Sequence, residues 1–124
     1  MSLTPSPSKP EGSKPEVYGM VIELKEECLE EYKKLHAAEN FGVRDLLEKY
    51  HLRRFAIFLQ RMPDGKLYEF GTYTYTGTNL THDLALLDDE PRNKEWLKIC
   101  DPMQRSITPG KEGWTMSELV YFNA

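Results

Sequence analysis

Residues 53–76 read RRFAIFLQRMPDGKLYEFGTYTYT, and this stretch decides the fold. Residues 53–60 are largely apolar, and residues 67–76 are rich in aromatic and threonine side chains, which favours β-strands over helix. Between them, Pro63-Asp64-Gly65 supplies the residue types that a tight turn requires. The stretch therefore predicts a β-hairpin in the middle of the chain.

Two elements are predicted before the hairpin. Residues 17–24 alternate with the period of two that is typical of a β-strand. Residues 25–50 then repeat apolar side chains with the period of an amphipathic helix. Gly42 lies within that helix, and because glycine disfavours a helix interior, we expect the helix to bend or divide there.

Two short helices and a strand are predicted after the hairpin. Residues 79–87 form the first helix, and residues 91–101 form the second, which Pro91 opens. Residues 115–122 predict a last strand that is apolar enough for a sheet interior. The order β-α-β-β-α-β is the ferredoxin-like arrangement of the α+β class, a four-stranded antiparallel sheet with helices on one face. Because the strands carry apolar residues on both faces, we expect a homodimer in which two sheets face each other.

Length and composition indicate one folded domain and exclude several partners. The chain has 124 residues, and residues 1–16 hold four prolines and few apolar groups, which predicts a flexible Pro/Ser-rich tail before a single domain over residues 17–124. A net charge of -4 provides no basic surface for nucleic acid. No apolar run is long enough to cross a membrane, and no signal-peptide pattern is present, so we expect a cytoplasmic protein.

Cysteine and histidine spacing argues against a metal site or a disulfide framework. Cys28 and Cys100 lie far apart without a Cys-x-x-Cys pattern, and we expect both to be reduced residues in helices. His36, His51 and His82 are too scattered to predict a zinc site. We expect His51 near the end of the long helix and His82 on an exposed, polar stretch.

Tyr32 and His36 are the two residues that indicate a possible proton-transfer site. Residues four apart on a helix share a face, and this pair falls on the apolar stripe that should turn towards the sheet. A buried imidazole can exchange protons near neutral pH. The same position also suits a structural histidine that is hydrogen-bonded within the core, and the pattern alone leaves both interpretations open.

The order and spacing of several motifs resemble the L-rhamnose mutarotase family over residues 17–123. The resemblance rests on four short motifs: Glu31-Tyr32-x-x-x-His36, the strand Phe55–Leu59, Trp96 followed by Asp101 and Met103, and Glu118–Phe122. It implies an isomerase that needs no cofactor, has a dimeric ferredoxin-like fold, and interconverts the α and β anomers of a six-carbon deoxy sugar such as L-rhamnose.

The resemblance also implies roles for individual residues. His36 matches the family's proposed proton donor, and Tyr32 matches a helix tyrosine that contacts the sugar. Trp96 matches one of two adjacent tryptophans, with Glu95 in place of the other, and Phe55 replaces a tyrosine that contacts the sugar. We therefore expect His36 to be catalytic and Tyr32, Trp96, Phe55 and Glu95 to bind the substrate.

This reaction suits the residue types. Mutarotation opens the sugar ring to an aldehyde and closes it on the other face, so one group must protonate the ring oxygen while another removes the proton of the anomeric hydroxyl. A histidine performs either step near pH 7, and Glu95 and Asp101 are candidates for the second group. No metal or nucleotide is needed.

Two other functions remain open at this point. Cofactor-independent oxygenases also use dimeric ferredoxin-like barrels with an internal pocket, and fold alone does not separate the two activities. A sugar-binding module without turnover is the other alternative, and the replacements at Phe55 and Glu95 motivate it.

Overall fold

The computed structural model describes residues 16–123 of the chain. Within these residues the five strands are β1 (Glu16–Leu24), β2 (Leu52–Arg61), β3 (Leu67–Tyr75), β4 (Gln104–Arg105) and β5 (Thr115–Ser117). The same part of the chain holds four α-helices, α1 (Leu29–Leu35), α2 (Arg44–Lys49), α3 (Leu80–Asp89) and α4 (Pro91–Cys100). Short 3-10 turns, Glu26–Cys28 and Asp101–Met103, precede α1 and follow α4. The tail predicted over residues 1–16 lies outside the described residues except for Glu16, which opens β1.

The sheet has the strand order β2-β3-β1-β4, and β5 also pairs with β1. All of these pairings are antiparallel. This is the α+β, ferredoxin-like arrangement that the sequence predicts, with the closing strand divided into two short pieces. The predicted hairpin is present as β2 and β3, joined by the turn that contains Gly65.

Alternate residues of β1 and β3 build the core on the sheet face that the helices cover. Tyr18, Met20 and Ile22 of β1 are at most 6% exposed and pair with alternate residues of β3. Helices α2 and α3 add apolar side chains to this cluster. The opposite sheet face carries the intervening residues, as the strand period requires.

The predicted helix over residues 25–50 is divided. Helix α1 ends at Leu35 and α2 begins at Arg44, so a loop takes the place of two helical turns. Gly42 lies in this loop with φ of 60°, in the left-handed region that glycine tolerates best. The sequence therefore marks the break correctly at Gly42 but not its length.

The Arg44 side chain closes this loop. Its guanidinium donates hydrogen bonds of 3.1 Å to the backbone oxygens of His36 and Ala37, and a further hydrogen bond to that of Asn40. The last carbonyls of a helix have no partner within the helix, so these contacts stabilise the end of α1. Arg44 thereby fixes the backbone that carries His36.

The predicted strand over residues 115–122 is mostly wrong. Strand β5 ends at Ser117, and the four apolar residues beyond it are exposed. Their exposed fractions are 54% for Leu119, 86% for Val120, 79% for Tyr121 and 52% for Phe122. These side chains do not form a sheet interior within their own chain.

None of the helices in residues 16–123 is long and apolar enough to cross a bilayer. Cys28 lies in the 3-10 turn before α1, and Cys100 is the last residue of α4. Both are free thiols.

Candidate active site

A cavity of about 750 Å³ lies between the helices and the sheet. Four of the five predicted site residues line it, namely Tyr32, His36, Phe55 and Trp96. This volume falls within the range of roughly 300–1,000 Å³ that is usual for small-molecule sites.

His36 is anchored to the end of α1 by its own ring. Its Nδ1 atom lies 2.9 Å from the backbone oxygen of Tyr32. Because a carbonyl oxygen only accepts hydrogen bonds, Nδ1 carries the hydrogen and donates it. In the neutral ring, Nε2 then keeps its lone pair and can accept a proton.

The surroundings of His36 favour this neutral form. Burial lowers the pKa of His36, the hydrogen bond to the Tyr32 carbonyl opposes this effect, and the positive charge of Arg44 lowers the pKa further. The net shift is downwards from the ordinary value of 6.5. His36 is therefore equipped to act as a base at neutral pH.

Two aromatic rings hold the imidazole in place. The Tyr32 ring stacks on it with 4.0 Å between centroids, and the Trp96 ring meets it edge-on at 5.1 Å. Trp96 in turn lies against Gly42, where a Cβ atom would approach Trp96 Cη2 to 3.3 Å. Aromatic side chains of this kind suit the apolar C–H face of a sugar.

Tyr32 is almost fully buried, at 7% exposed. Its hydroxyl accepts a hydrogen bond of 3.3 Å from Gln104 Nε2. Burial raises the pKa of Tyr32, and the nearby charge of Glu69 raises it further. The phenol therefore stays protonated and is suited to binding a substrate hydroxyl rather than to accepting a proton.

A β-bulge brings Phe55 to the cavity. The register of β2 against β3 shifts between Arg53 and Ala56, so two residues of β2 lie opposite Tyr73 alone. Arg54 accommodates the bulge by adopting a left-handed backbone conformation, with φ of 53°. The Phe55 ring then stacks on Tyr73 at 5.4 Å, on the helix-covered face.

Glu95 lies away from the cavity. Its carboxylate is exposed and pairs with Lys98 at 3.1 Å. Asp101, the other candidate for the second acid–base group, is not among the lining residues either. The carboxylates that do line the cavity are Glu48 and Asp88, which the sequence pattern does not single out.

The two remaining histidines lie where the sequence predicts. His51 is exposed in the turn after α2, where its backbone N–H bonds to the Glu48 carbonyl. His82 is exposed in the first turn of α3. Within residues 16–123, no three His, Cys, Asp or Glu side chains gather closely enough to hold a metal ion.

Several cavity residues escape sequence reasoning. Trp114, Cys100 and Gln104 come from a loop, a helix end and a short strand that no periodicity connects. Glu69 does not line the cavity itself but contacts Gln104, which does, and the sequence pattern does mark it, because it shares the inward face of β3 with Tyr73. A charged residue at such a position marks either a buried polar network or a site.

A sequence model described as "L-rhamnose mutarotase" matches residues 17–122. The chain belongs to the L-rhamnose mutarotase family. Members of this family are isomerases that act on carbohydrate anomers. The resemblance over residues 17–123 that the motifs indicate is therefore confirmed.

Solved structures with a similar fold include the two that follow. An L-rhamnose mutarotase from Formosa agariphila matches with a TM-score of 0.64 and 17% identity, over 88% of this chain and 99% of that chain. A protein from Nitrosomonas europaea described as an antibiotic biosynthesis monooxygenase matches with a TM-score of 0.50 and 12% identity, over 88% of this chain and 95% of that chain. At these identities the structures show a shared fold alone. A search of curated proteins found no significant match.

Proposed function

We propose that the protein interconverts the α and β anomers of a deoxyhexose such as L-rhamnose in the cavity that His36 lines. Membership of the mutarotase family supports this activity. The observation that carries the proposal is the hydrogen bond from His36 Nδ1 to the Tyr32 carbonyl, because it leaves Nε2 as a base beside a cavity of suitable size.

In this mechanism His36 moves the proton of the anomeric hydroxyl. Nε2 takes that proton while a second donor protonates the ring oxygen, and the C1–O5 bond breaks to give the open-chain aldehyde. Rotation about the C1–C2 bond then presents the other face of the aldehyde. When the ring oxygen attacks C1 and gives its proton back to the second donor, Nε2 returns its proton to the carbonyl oxygen, so protons balance over the cycle.

In this proposal, aromatic side chains that line the cavity bind the sugar. Trp96 and Phe55 pack against apolar C–H groups, and the Tyr32 hydroxyl forms a hydrogen bond with a substrate hydroxyl. Glu95 takes no part, because its side chain faces solvent and pairs with Lys98.

We further propose that two copies form a homodimer through the sheet face that the helices leave open. Phe58, Phe70 and Val21 are neighbours across β2, β3 and β1 on that face, and Phe58 is 64% exposed. The segment Leu119–Phe122 adds further exposed apolar area. A second copy that covers both surfaces would remove this area from water.

A cytoplasmic location completes the proposal. The free thiols of Cys28 and Cys100 are compatible with a reducing compartment. Fractionation of source cells tests it, and recovery of the protein outside the cytoplasm would contradict it.

Saturation-transfer NMR with L-rhamnose and a panel of other aldoses tests the activity. Saturating the anomeric proton of one anomer should reduce the signal of the other far faster with protein than without it. Sugar binding without exchange would show a non-catalytic binding module. No response from any sugar would overturn the mutarotase proposal and reopen the oxygenase alternative.

A further inference from the structure

Glu69 is a buried carboxyl group that the proposed mechanism does not use. It is 1% exposed and lies on the helix-covered face of β3, between Ile22 of β1 and Leu59 of β2. Burial raises the pKa of Glu69, whereas hydrogen bonding by Tyr32 and Gln104 opposes that shift. Because burying a carboxyl group among apolar side chains costs free energy, these two contacts compensate for part of that cost.

Glu69, Gln104 and Tyr32 form a closed cluster of hydrogen bonds. Gln104 Nε2 donates to Glu69 Oε1 at 2.8 Å and to Tyr32 Oη at 3.3 Å. The single hydrogen of the Tyr32 hydroxyl is directed at the Glu69 carboxylate. The cluster therefore joins the phenol of α1 to strands β3 and β4, and it fixes the far end of the Tyr32 side chain.

Tyr32 in turn holds His36 at two points. Its backbone oxygen accepts the hydrogen bond from His36 Nδ1 at 2.9 Å, and its ring stacks on the imidazole with 4.0 Å between centroids and 23° between planes. The χ2 angle of a histidine has only broad energy minima, so contacts with neighbours fix the plane of the ring. The position of the Tyr32 phenol therefore helps to set the direction in which His36 Nε2 points.

We infer that Glu69 is a positioning residue for His36, because it holds the Tyr32 phenol in the place where the phenol supports the imidazole. Glu69 does not line the cavity, so it acts through Tyr32 and not on the substrate. This inference rests on the proposed mutarotase function and deepens it, since proton transfer requires a fixed direction for Nε2. Catalytic groups must be held to within roughly 0.5 Å, and supporting hydrogen bonds supply that accuracy.

The first test observes the His36 ring directly and needs no sugar. Protons that lie over the face of an aromatic ring resonate upfield, so stacking on Tyr32 should shift the His36 ring protons of the parent in that direction. Glu69→Met keeps an unbranched side chain without acceptor oxygens, and it should move these resonances towards those of the exposed His82. Glu69→Gln keeps one acceptor oxygen and should retain most of the parent's shift.

The second test measures anomer exchange. Because a displacement of about 1 Å can slow a reaction about 100-fold, Glu69→Met should lower kcat roughly 10- to 100-fold. KM should change less, since Trp96 and Phe55 still line the cavity. The kcat of Glu69→Gln should lie between those of the parent and Glu69→Met. Glu30→Met is the matched control, because it removes an exposed carboxylate from α1 and should leave kcat and KM at parent values.

A double variant tests whether Glu69 acts through the phenol. Tyr32→Phe removes the hydroxyl and should lower kcat on its own. Adding Glu69→Met to Tyr32→Phe should lower kcat no further, because the hydrogen bond that Glu69 accepts from the phenol is already absent. Glu69→Leu, which suits the apolar neighbours Ile22 and Leu59, replaces Glu69→Met if that variant does not fold.

The outcomes separate the positioning role from the proposed function. Unchanged His36 resonances in Glu69→Met, or a parental kcat in that variant, overturn the positioning role. Effects of Glu69→Met and Tyr32→Phe that multiply in the double variant also overturn it. A parent protein that exchanges the anomers of no sugar contradicts the function itself, and the His36 resonances then still test the positioning role.

Discussion

His36 lies at the end of a helix, with one ring nitrogen committed to a backbone carbonyl and with burial disfavouring its charged form. We predict that the pKa of His36 lies below 6.5, so the neutral base persists on the acid side of neutrality. Anomer exchange should then fall only when the pH drops through that lowered pKa, because a protonated Nε2 cannot accept a proton. NMR titration of the His36 ring, compared with the pH dependence of exchange, checks this, and a midpoint above 6.5 in either measurement contradicts it.

A second prediction at this scale concerns the buried carboxyl group of Glu69 and the pH dependence of stability. Its pKa is raised above 4.5, so the folded protein holds the proton more tightly than the unfolded chain does. This contribution to stability is fully present below the unfolded pKa and is lost as the pH rises through the folded pKa. The free energy of unfolding of Glu69→Gln, relative to the parent, should therefore increase as the pH rises through this range.

Urea unfolding at pH values below and above 4.5 measures this difference. Glu95→Gln is the matched control, since it removes one negative charge from an exposed position. Parallel curves for Glu69→Gln and the parent over the whole range would show that burial of Glu69 has no energetic consequence.

The sequence predicts the positions of some of these site residues but not of others. Helical spacing placed Tyr32 and His36 together because residues four apart share a helix face, and the structure keeps that contact at 4.0 Å between ring centroids. The resemblance alone implies that Glu95 binds the substrate, but Glu95 lies on the exposed surface of α4, away from the cavity. Gln104 meets Glu69 only through the folded sheet, so no local pattern could reveal the contact.

At the scale of helices, strands and loops, the loop between α1 and α2 requires a backbone conformation that favours glycine. Gly42 combines φ of 60° with a close approach to Trp96. Gly42→Ala should destabilise the protein by about 1–2 kcal/mol from backbone strain, with a further loss because the new Cβ presses on the indole. Exchange should also slow, since Trp96 contacts His36.

Gly65→Ala provides the control for strain alone. Gly65 has φ of 84°, and nothing lies within 4 Å of its added Cβ. Thermal unfolding of both variants separates the two effects. A Gly42→Ala protein that is no less stable than Gly65→Ala and exchanges at the parent rate would contradict the proposed role of this loop.

Sequence patterns predict where helices and strands occur better than they predict where each one begins and ends. The apolar stripe runs across both α1 and α2, so its period continues through a segment that is not helical. The bulge at Arg54 inserts one residue into β2 and changes which side chains face inwards, although the composition still reads as a regular strand. The apolar residues after Ser117 are typical of a buried strand in sequence, yet they are exposed in the structure. An apolar pattern does not specify whether the same chain or a second chain covers these residues.

At the scale of the whole molecule, the exposed apolar surfaces predict self-association. Sedimentation velocity at micromolar concentration should show a dimer, and Phe58→Asp should shift it towards the monomer by placing a charge on the open sheet face. Ile99→Asp changes an exposed apolar residue of α4 and should leave the dimer intact. A parent protein that sediments as a monomer would contradict the homodimer.

The overall topology was the most predictable property of the chain. The turn residues Pro63-Asp64-Gly65 and the change from helical to strand period specify the β-α-β-β-α-β order locally, and the observed strand order follows from it. The cavity was less predictable, because its walls come from segments distant in sequence, such as Trp114 and Tyr32.

The most direct test of this account compares anomer exchange of L-rhamnose by the parent, His36→Ala and His82→Ala. His82 is exposed on α3 and serves as the matched histidine control. Because general acid–base catalysis contributes roughly 10²–10⁴ in rate, His36→Ala should exchange at least about 100-fold more slowly, while His82→Ala exchanges at the parent rate. A folded His36→Ala protein that exchanges L-rhamnose anomers as fast as the parent would contradict the central role of His36.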